Sequence, residues 1–215
     1  MAKEAAAFWD GIAKSYAASP IKDIASYEFT LQRTRSYLKP QDKVLEIGAG
    51  TGSTALLLAS SVAHITATDL SAEMMKIGQA KATEQGVNNI DFLVDGAMAE
   101  AVSGPYDVIL AHNLFHLLDD LPGVLKRVNK LLKPGGLLIS KTPCKPQGFG
   151  SATYRLMQVV LPIMQLLGKA PFVAMRSNAD LERLIGEQGF QRIEVCNCSK
   201  KDIRRYIVAR KVAGK

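Results

Sequence analysis

The chain has 215 residues, 47% of them hydrophobic, which is enough apolar material for one buried core and does not require a second domain. Its 27 Lys and Arg outnumber its 20 Asp and Glu, and the resulting net charge of +7 favours anionic partners in general. No aromatic residues alternate with the short basic clusters, so we do not expect a nucleic-acid-binding surface. No run reaches the ~20 apolar residues of a membrane span.

The cysteines and the amino-terminal stretch indicate the cellular compartment. Cys144, Cys196 and Cys198 are an odd number, and charges and Trp9 stand where a signal peptide needs an unbroken apolar core. We therefore expect a soluble, cytoplasmic protein without a disulfide framework. No metal site is expected, because the three histidines lie far from the Cys-Asn-Cys pair, which is interpreted as two buried thiols on one strand.

The first 142 residues show an alternating pattern of elements. Residues 1–40 contain two helical segments that cover a cleft or complete the core. Five apolar runs then predict strands at Lys43–Ile47, His64–Asp69, Ile90–Val94, Tyr106–His112 and Gly136–Lys141. Helical patterns separate them at Ser53–Ser60, Ala72–Gln85 and Leu121–Leu132. This alternation predicts an α/β fold, a doubly wound and mostly parallel sheet with helices on both faces.

The last third of the chain departs from this alternation. Residues 143–177 open with prolines and glycines and continue as an almost wholly apolar helical run, which would form extra core helices, cover an apolar ligand or rest on a membrane. After a helix at Asn178–Glu187, two strands joined by a short connection must pair antiparallel. We expect one domain with a helical lid (1–40), a ligand-binding core (41–142), a helical substrate cap (143–177) and a C-terminal helix and hairpin (178–215).

A glycine-rich turn follows the first predicted strand. Gly48, Gly50 and Gly52 are spaced G-x-G-x-G, and Ser53 stands where the dinucleotide fingerprint has its third glycine. A turn without side chains lets a ligand approach the amide N–H groups at the start of the next helix. The turn therefore predicts a nucleotide-like ligand and makes a nicotinamide oxidoreductase the weaker alternative.

Acidic residues stand at or near the ends of three successive strands beside this turn. These are Glu46, Asp69 and Asp95. Because ligands of open parallel sheets bind at the carboxyl ends of the strands, Asp69 is placed to accept both hydroxyls of a ribose, and Asp95 an adenine amino group. A free ribose diol is common to NAD and S-adenosylmethionine (SAM), so these residues alone leave both ligands open.

Five segments in a fixed order carry a resemblance to a known family. They are VLEIGAGTG, ATDLSAEMM, DFLVDGAM, YDVILAHNLFHLL and LKRVNKLLKPGGLLI, spanning Asp42 to Ser140. The sequence resembles the class I SAM-dependent methyltransferases, in particular the small-molecule branch that includes the ubiquinone and menaquinone C-methyltransferases. The resemblance implies a Rossmann-like seven-stranded sheet with an antiparallel C-terminal hairpin. It also implies SAM as cofactor and S-adenosylhomocysteine as product.

The resemblance also implies a set of cofactor contacts. Glu46 would steady the glycine loop and the methionine amino end, Asp69 would hold the ribose, and Leu70 would pack on the adenine. Tyr16, in the lid, would approach the methionine carboxylate. The full expected set is Tyr16, Glu46, Gly48, Ala49, Gly50, Gly52, Asp69, Leu70, Met74, Asp95, Gly96, Ala97 and His112.

Two histidines are the candidate bases for methyl transfer. His112 and His116 follow the fourth strand, where the transferred methyl should lie. Enzymes that methylate amino groups of nucleic acids have an Asn/Asp-Pro-Pro-Tyr/Phe sequence at this place, and here it is His-Asn-Leu-Phe. Cytosine C5 enzymes have a Pro-Cys pair there, whereas Pro143 and Cys144 follow the fifth strand. Both subclasses are therefore disfavoured.

The acceptor is expected to be a small hydrophobic, aromatic or lipid-like molecule bound between the lid and residues 143–177. The apolar side chains expected to form its pocket are Tyr154, Leu156, Met157, Val160, Met164, Leu167 and Phe172. Arg155, Lys169 and Arg176 could meet an anionic headgroup, which predicts peripheral membrane contact through 151–176. The alternative is a SAM-binding sensor or partner subunit that transfers no methyl.

Overall fold

A computed structural model describes residues 2–146, 152–166, 168, 170–199 and 202–212. Its strands are β1 (Lys43–Ile47), β2 (His64–Asp69), β3 (Ile90–Val94), β4 (Tyr106–His112), β5 (Leu132–Pro143), β6 (Phe190–Cys196) and β7 (Arg204–Lys211). Its α-helices are α1 (Ala2–Ala18), α2 (Ile24–Arg35), α3 (Ser53–Leu58), α4 (Ala72–Glu84), α5 (Leu121–Leu131), α6 (Ala152–Leu166) and α7 (Asn178–Glu187).

The strands form one seven-stranded sheet in the order β3-β2-β1-β4-β5-β7-β6. Strands β1 to β5 are parallel, and β7 lies antiparallel between β5 and β6. The predicted fold class, including the antiparallel C-terminal hairpin, is confirmed. The strand order reverses between β1 and β4, and in open sheets a ligand crevice forms at the carboxyl ends of such a pair.

Alternate residues of the central strands pack into two hydrophobic cores on opposite faces of the sheet. In β1, Leu45 belongs to the core that includes side chains of α5 and α7, whereas Val44 belongs to the core that includes side chains of α3 and α4. The same alternation separates Ile109 from Leu110 in β4. Burial on both faces explains why the strands are near-continuous apolar runs in the sequence.

Two local predictions in the C-terminal half of the sheet are corrected. Strand β5 begins at Leu132 instead of Gly136, because Leu132 already pairs with Tyr106 before the register shifts. Strand β6 ends at Cys196, so Cys198 lies beyond it, and both thiols are partly exposed instead of buried on one strand. Cys144 is fully buried, and burial raises the pKa of its thiol to about 11.

Helix α6 is not part of the core, so the interpretation of residues 143–177 as extra core helices is wrong. Leu156, Val160 and Met164, predicted to line a pocket, are 63%, 38% and 38% exposed, and Phe172 is 49% exposed. The side chains of Tyr154, Arg155 and Met157, and all of Leu167 and Lys169, lie outside the described residues. Among the helices that the structure describes, none has the length and apolar character needed to cross a membrane.

Candidate cofactor and acceptor site

A cavity of about 380 Å³ lies at the carboxyl ends of the central strands, closed over by α1, α2 and the connection between them. This volume is within the range of pockets that hold small molecules. One end, which we call the glycine-loop end, contains Glu46, residues 48–51 and Asp69, whereas Gly52 of the same loop does not line the cavity. The other, which we call the lysine end, contains Asp23, Thr30, His112, Lys141 and Arg204.

The glycine loop has the backbone that its sequence predicts. Gly48, Gly50 and Gly52 have φ angles of +66°, +55° and +69°, a region that favours glycine. A Cβ at Gly52 would come within 2.6 Å of the Phe92 ring, so this glycine is also required for packing. The Lys81 ammonium donates to the Thr51 hydroxyl at 3.0 Å and holds the loop from the α4 side. The loop is therefore preformed.

Glu46 is the most perturbed acid of the glycine-loop end. It is 2% exposed, and its Oε2 has no hydrogen-bond partner among the residues that the structure describes. Burial raises the pKa of its carboxyl to about 8, the Ala55 N–H opposes this shift, and the charge of Asp69 adds to it. A buried carboxyl in this state favours a cationic ligand group, which would restore its charge.

Asp69 connects the end of β2 to the glycine loop. Its Oδ2 accepts the Gly50 N–H at 2.9 Å, and its Oδ1 accepts the Ser71 N–H at 2.9 Å. Burial nevertheless raises the pKa of the Asp69 carboxyl. Each carboxylate oxygen keeps a further lone pair, so Asp69 can still accept hydrogen bonds from a diol. Leu70 and Met74 line the cavity beside it.

The end of β3 lies beside Asp69 but outside the cavity wall. The Asp95 N–H donates to the Asp69 carbonyl at 3.0 Å, which confirms that the strand ends are neighbours. The Asp95 carboxylate accepts the Ala101 N–H at 2.8 Å, and Gly96 and Ala97, like Asp95, are not among the cavity-lining residues. Contact of these three residues with an adenine edge stays a prediction.

Helix α1 forms the lid over the glycine-loop end. Trp9 and Tyr16 line the cavity, and the Tyr16 ring lies 3.8 Å from the position that a Cβ on Gly50 would occupy. The Asp10 carboxylate accepts the Ser71 hydroxyl at 2.6 Å and the Glu73 N–H at 3.0 Å, so it caps α4 from outside. The sequence predicted the lid but not this contact, because the partners are more than 60 positions apart.

At the lysine end, His112 is the side chain best placed for chemistry. It lines the cavity, and its Nε2 has no hydrogen-bond partner among the described residues. Burial, with a smaller contribution from the charge of Lys141, lowers the pKa of His112 to about 4. The ring is therefore neutral near pH 7 and can accept a hydrogen bond.

His116 lies away from the cavity wall. Its carbonyl accepts the Ala174 N–H at 2.7 Å, and burial and the charge of Arg176 lower the pKa of its ring to about 4. Arg176 does not extend toward an external headgroup, because its guanidinium donates to the carbonyls of Phe115 and Leu118 at 2.9 Å. Both residues hold the turn after β4 against the stretch of chain that precedes α7.

Lys141 is the centre of a buried cluster that the sequence did not reveal. Its side chain is 4% exposed, and its ammonium donates to the Ser26 carbonyl at 3.0 Å and to the Thr30 hydroxyl at 2.7 Å and lies 3.5 Å from an Asp202 carboxylate oxygen. Arg204 donates to the other oxygen of Asp202 at 2.6 Å. The cluster ties α2 to β5 and β7.

The geometry fits SAM. The unpartnered oxygen of Glu46 suits the ammonium of the methionine part, and Asp69 suits the ribose diol. Because Gly50 has no side chain, the space between the loop and Tyr16 can hold the methionine part of the ligand. No group of three or more His, Cys, Asp or Glu residues in the described part of the chain is arranged to hold a metal ion.

Comparison with known proteins gives the family. A methyltransferase domain family model matches residues 22–195. The malonyl-[acyl-carrier protein] O-methyltransferase of Priestia megaterium is 31% identical over 147 residues, covering 66% of this chain and 50% of that protein. The ubiquinone biosynthesis O-methyltransferase of Pectobacterium atrosepticum is 34% identical over 102 residues, covering 46% of this chain and 42% of that protein. The chain thus spans half or less of the length of these two relatives.

A solved structure shows the same fold. The SAM-dependent methyltransferase of Methanosarcina mazei superposes with a TM-score of 0.70 and 21% identity, covering 84% of this chain and 97% of that one. At this identity the likeness concerns the fold alone. The family model covers most of the chain, including the glycine loop, all three strand-end acids and both histidines. The chain therefore belongs to the methyltransferase domain family, and its cofactor is SAM.

Proposed function

We propose that this protein transfers the methyl group of SAM to an oxygen of a small hydrophobic or aromatic acceptor. The observation that carries the proposal is that the glycine-loop end and the His112 side chain line one continuous cavity. Methyl transfer requires the nucleophile and the leaving group in line, and a cavity that binds both molecules side by side supplies that alignment. That both relatives are O-methyltransferases supports oxygen as the acceptor atom.

The residues of the glycine-loop end would bind and orient the cofactor. Glu46 would pair with its ammonium group, Asp69 would accept the ribose hydroxyls, and Leu70 and Met74 would contact the adenine. When bound, the cofactor supplies an electrophilic methyl group on a sulfonium. Tyr16 on α1 would close over the methionine part and keep water away from the reacting atoms.

His112 would orient the acceptor and take its proton. In its neutral state Nε2 accepts a hydrogen bond from an acceptor hydroxyl, which fixes an oxygen lone pair toward the methyl group. Nε2 would take the hydroxyl proton, which becomes acidic when the oxygen gains the methyl group and the carbon–sulfur bond breaks to leave S-adenosylhomocysteine. A base whose pKa is lowered to about 4 stays unprotonated near pH 7, although its driving force for proton transfer is small. Positioning is therefore its larger contribution.

The wall around His112 supports an apolar acceptor. Ile21, Leu114 and Leu117 line the cavity together with the paired charges of the lysine end. Because the Lys141 ammonium is already hydrogen-bonded inside the protein, it offers little to an anionic acceptor. The contacts offered at this end are thus a hydrophobic surface and the His112 ring, whose Nε2 is buried and without a partner among the described residues.

A labelling experiment tests this function. The purified protein is incubated with methyl-labelled SAM and a lipid and metabolite extract, and the methylated products are identified by mass spectrometry. The identified product's precursor then serves as substrate for kinetics. We expect His112→Ala, which removes both the hydrogen-bond acceptor and the base, to lower kcat by about 10²-fold or more, and His116→Ala, the matched control, to change it by only a few-fold.

Two results would contradict the proposal. Absence of any labelled product would argue for a protein that binds SAM without transferring its methyl. Equal kcat values for the two histidine variants would remove His112 from the reaction even where methylation occurs. In both variants, calorimetry with S-adenosylhomocysteine checks that the cofactor site is intact.

A further inference from the structure

Helix α6 presents its apolar side to solvent. Leu156, Val159, Val160, Ile163 and Met164 follow the i, i+3, i+4, i+7, i+8 spacing that places side chains on one face of a helix. They are 63%, 66%, 38%, 56% and 38% exposed, and we call them the α6 stripe. On a surface helix of a globular protein such a stripe normally faces the core. Its exposure here indicates an apolar surface outside the chain.

The charge around α6 identifies the kind of surface. Between residues 121 and 179 the sequence contains nine Lys and Arg and no Asp or Glu. Residues 121–179 therefore carry a net charge of +9. Because the net charge of the whole chain is +7, all other residues together carry −2. Residues 144–179, which surround α6, contain four of these cations, and three of them remain for a lipid surface because Arg176 binds backbone carbonyls. An apolar stripe in an acid-free segment matches an anionic lipid surface, where apolar burial and charge attraction act together.

A second copy of this chain is a poorer occupant of the stripe. Pairing α6 with α6 would bring two acid-free, positively charged segments together, and like charges facing each other across an interface are unfavourable. Crossing a membrane is also ruled out for α6, since it has 15 residues and a span needs about 20. A helix of this kind lies in the plane of the headgroups.

Residues 144–179, which contain α6, begin next to the lysine end of the cavity. The Lys145 N–H donates to the Arg176 carbonyl at 2.8 Å, so the two ends of the segment meet. The Cys144 N–H donates to the Ile203 carbonyl at 2.9 Å, one residue before Arg204 in the cavity wall. The chain that carries α6 is therefore joined directly to the wall of the lysine end.

We propose that α6 is a membrane-docking helix that lies on anionic lipid with the α6 stripe against the acyl chains. An acceptor dissolved in that lipid would reach the lysine end without crossing bulk water. This role in acceptor delivery rests on the proposed function. The docking itself is measured without any methyl transfer, so the two proposals can fail separately.

Vesicle sedimentation tests the docking. The full chain is mixed with vesicles of phosphatidylcholine alone or with about 30% phosphatidylglycerol, and the bound fraction is measured at low and high salt. We expect binding to be at least about tenfold tighter on the anionic vesicles and to weaken as salt shortens the Debye length. The double variant Val159→Glu/Ile163→Glu should lose at least about tenfold of that binding.

A matched control carries the same charge change elsewhere. Ile193 and Val212 are 42% and 52% exposed on and beside the C-terminal hairpin, and Ile193→Glu/Val212→Glu should bind the anionic vesicles as the parent does. Calorimetry with S-adenosylhomocysteine confirms that both double variants are folded. Parent-like vesicle binding by the α6 variant, or no preference of the parent for anionic vesicles, would overturn the proposal. So would a parent dimer that the α6 variant alone dissociates.

Discussion

The two ends of the cavity differ in whether their buried ionisable side chain is fully hydrogen-bonded. At the glycine-loop end, Glu46 is buried with one carboxylate oxygen unpaired among the described residues, and its pKa is raised to about 8. At the lysine end, Lys141 is just as buried but is hydrogen-bonded to Ser26 and Thr30 and lies near Asp202. A buried acid without a partner is costly to ionise and is retained where a ligand completes it, whereas a buried charge that is already paired needs no ligand. The difference distinguishes the acid that we propose to bind the cofactor from the lysine that supports the fold.

The largest effect should come from breaking the lysine end. Lys141→Met leaves Asp202 buried with Arg204 as its remaining cation, and removing one partner of a buried pair costs about 3 kcal/mol or more. We therefore expect the free energy of unfolding, measured in urea, to fall by about 3 kcal/mol with an unchanged slope against denaturant. Lys126→Met, at an exposed lysine of α5, should change it by less than about 0.5 kcal/mol.

These two variants test directly whether the buried cluster around Lys141 stabilises the fold. Equal stabilities of Lys141→Met and Lys126→Met would mean that the buried cluster contributes nothing beyond what an exposed lysine contributes. The lysine end would then have to be regarded as part of the acceptor site, with Lys141 held in place for a ligand.

The two ends also differ in how far the sequence predicts them. Glu46, the glycine loop and Asp69 lie within 24 consecutive positions, and the strand–turn–helix pattern brings them together locally. The contacts of Lys141 with Ser26 and of Ser26 with Asp202 join residues 115 and 176 positions apart. Strand periodicity carries no information about such pairs. The exposure of α6 was equally hidden, because an apolar helix has the same sequence whether it faces a core or a lipid.

Substitution of Asp69 tests whether the glycine-loop end binds the ribose of the cofactor. Asp69→Ala loses the acceptors of the Gly50 and Ser71 N–H groups as well as the expected bonds to the ribose. We expect SAM affinity measured by calorimetry to weaken by about 1–3 kcal/mol. Asp91→Ala, an exposed acid at the start of β3, is the matched control and should leave the affinity unchanged. Unchanged binding by Asp69→Ala would place the ribose elsewhere.

The raised pKa of Glu46 predicts a proton linked to cofactor binding. Near pH 7 the empty protein holds a proton on Glu46, and the cofactor's ammonium favours the ionised carboxylate, so binding should release that proton. Apparent affinity should rise from pH 6 toward 8 and fall above it, where the ligand's own amino group loses its charge.

Calorimetry in buffers of different ionisation enthalpy measures this release. S-adenosylhomocysteine is used to avoid turnover. The binding enthalpy of the parent should depend on the buffer at pH 7, and that of Glu46→Gln should not, with an affinity about tenfold weaker or more. A parent enthalpy that is the same in every buffer would mean that Glu46 is already ionised in the empty protein.

The smallest expected effect concerns the contact that closes the glycine-loop end. Asp10→Ala removes the acceptor of the Ser71 hydroxyl and the Glu73 N–H, which should cost the docked position of α1 about 1 kcal/mol. Trp9, the one tryptophan of the chain, lies on α1 in the cavity wall, so its fluorescence reports this position. We expect easier quenching by a soluble quencher and roughly fivefold faster release of S-adenosylhomocysteine. Lys14→Ala, at an exposed position of the same helix, should behave as the parent. Equal quenching of both variants would mean that α1 is held by Trp9 and Tyr16 alone, and the closure of this end would then be hydrophobic instead of polar.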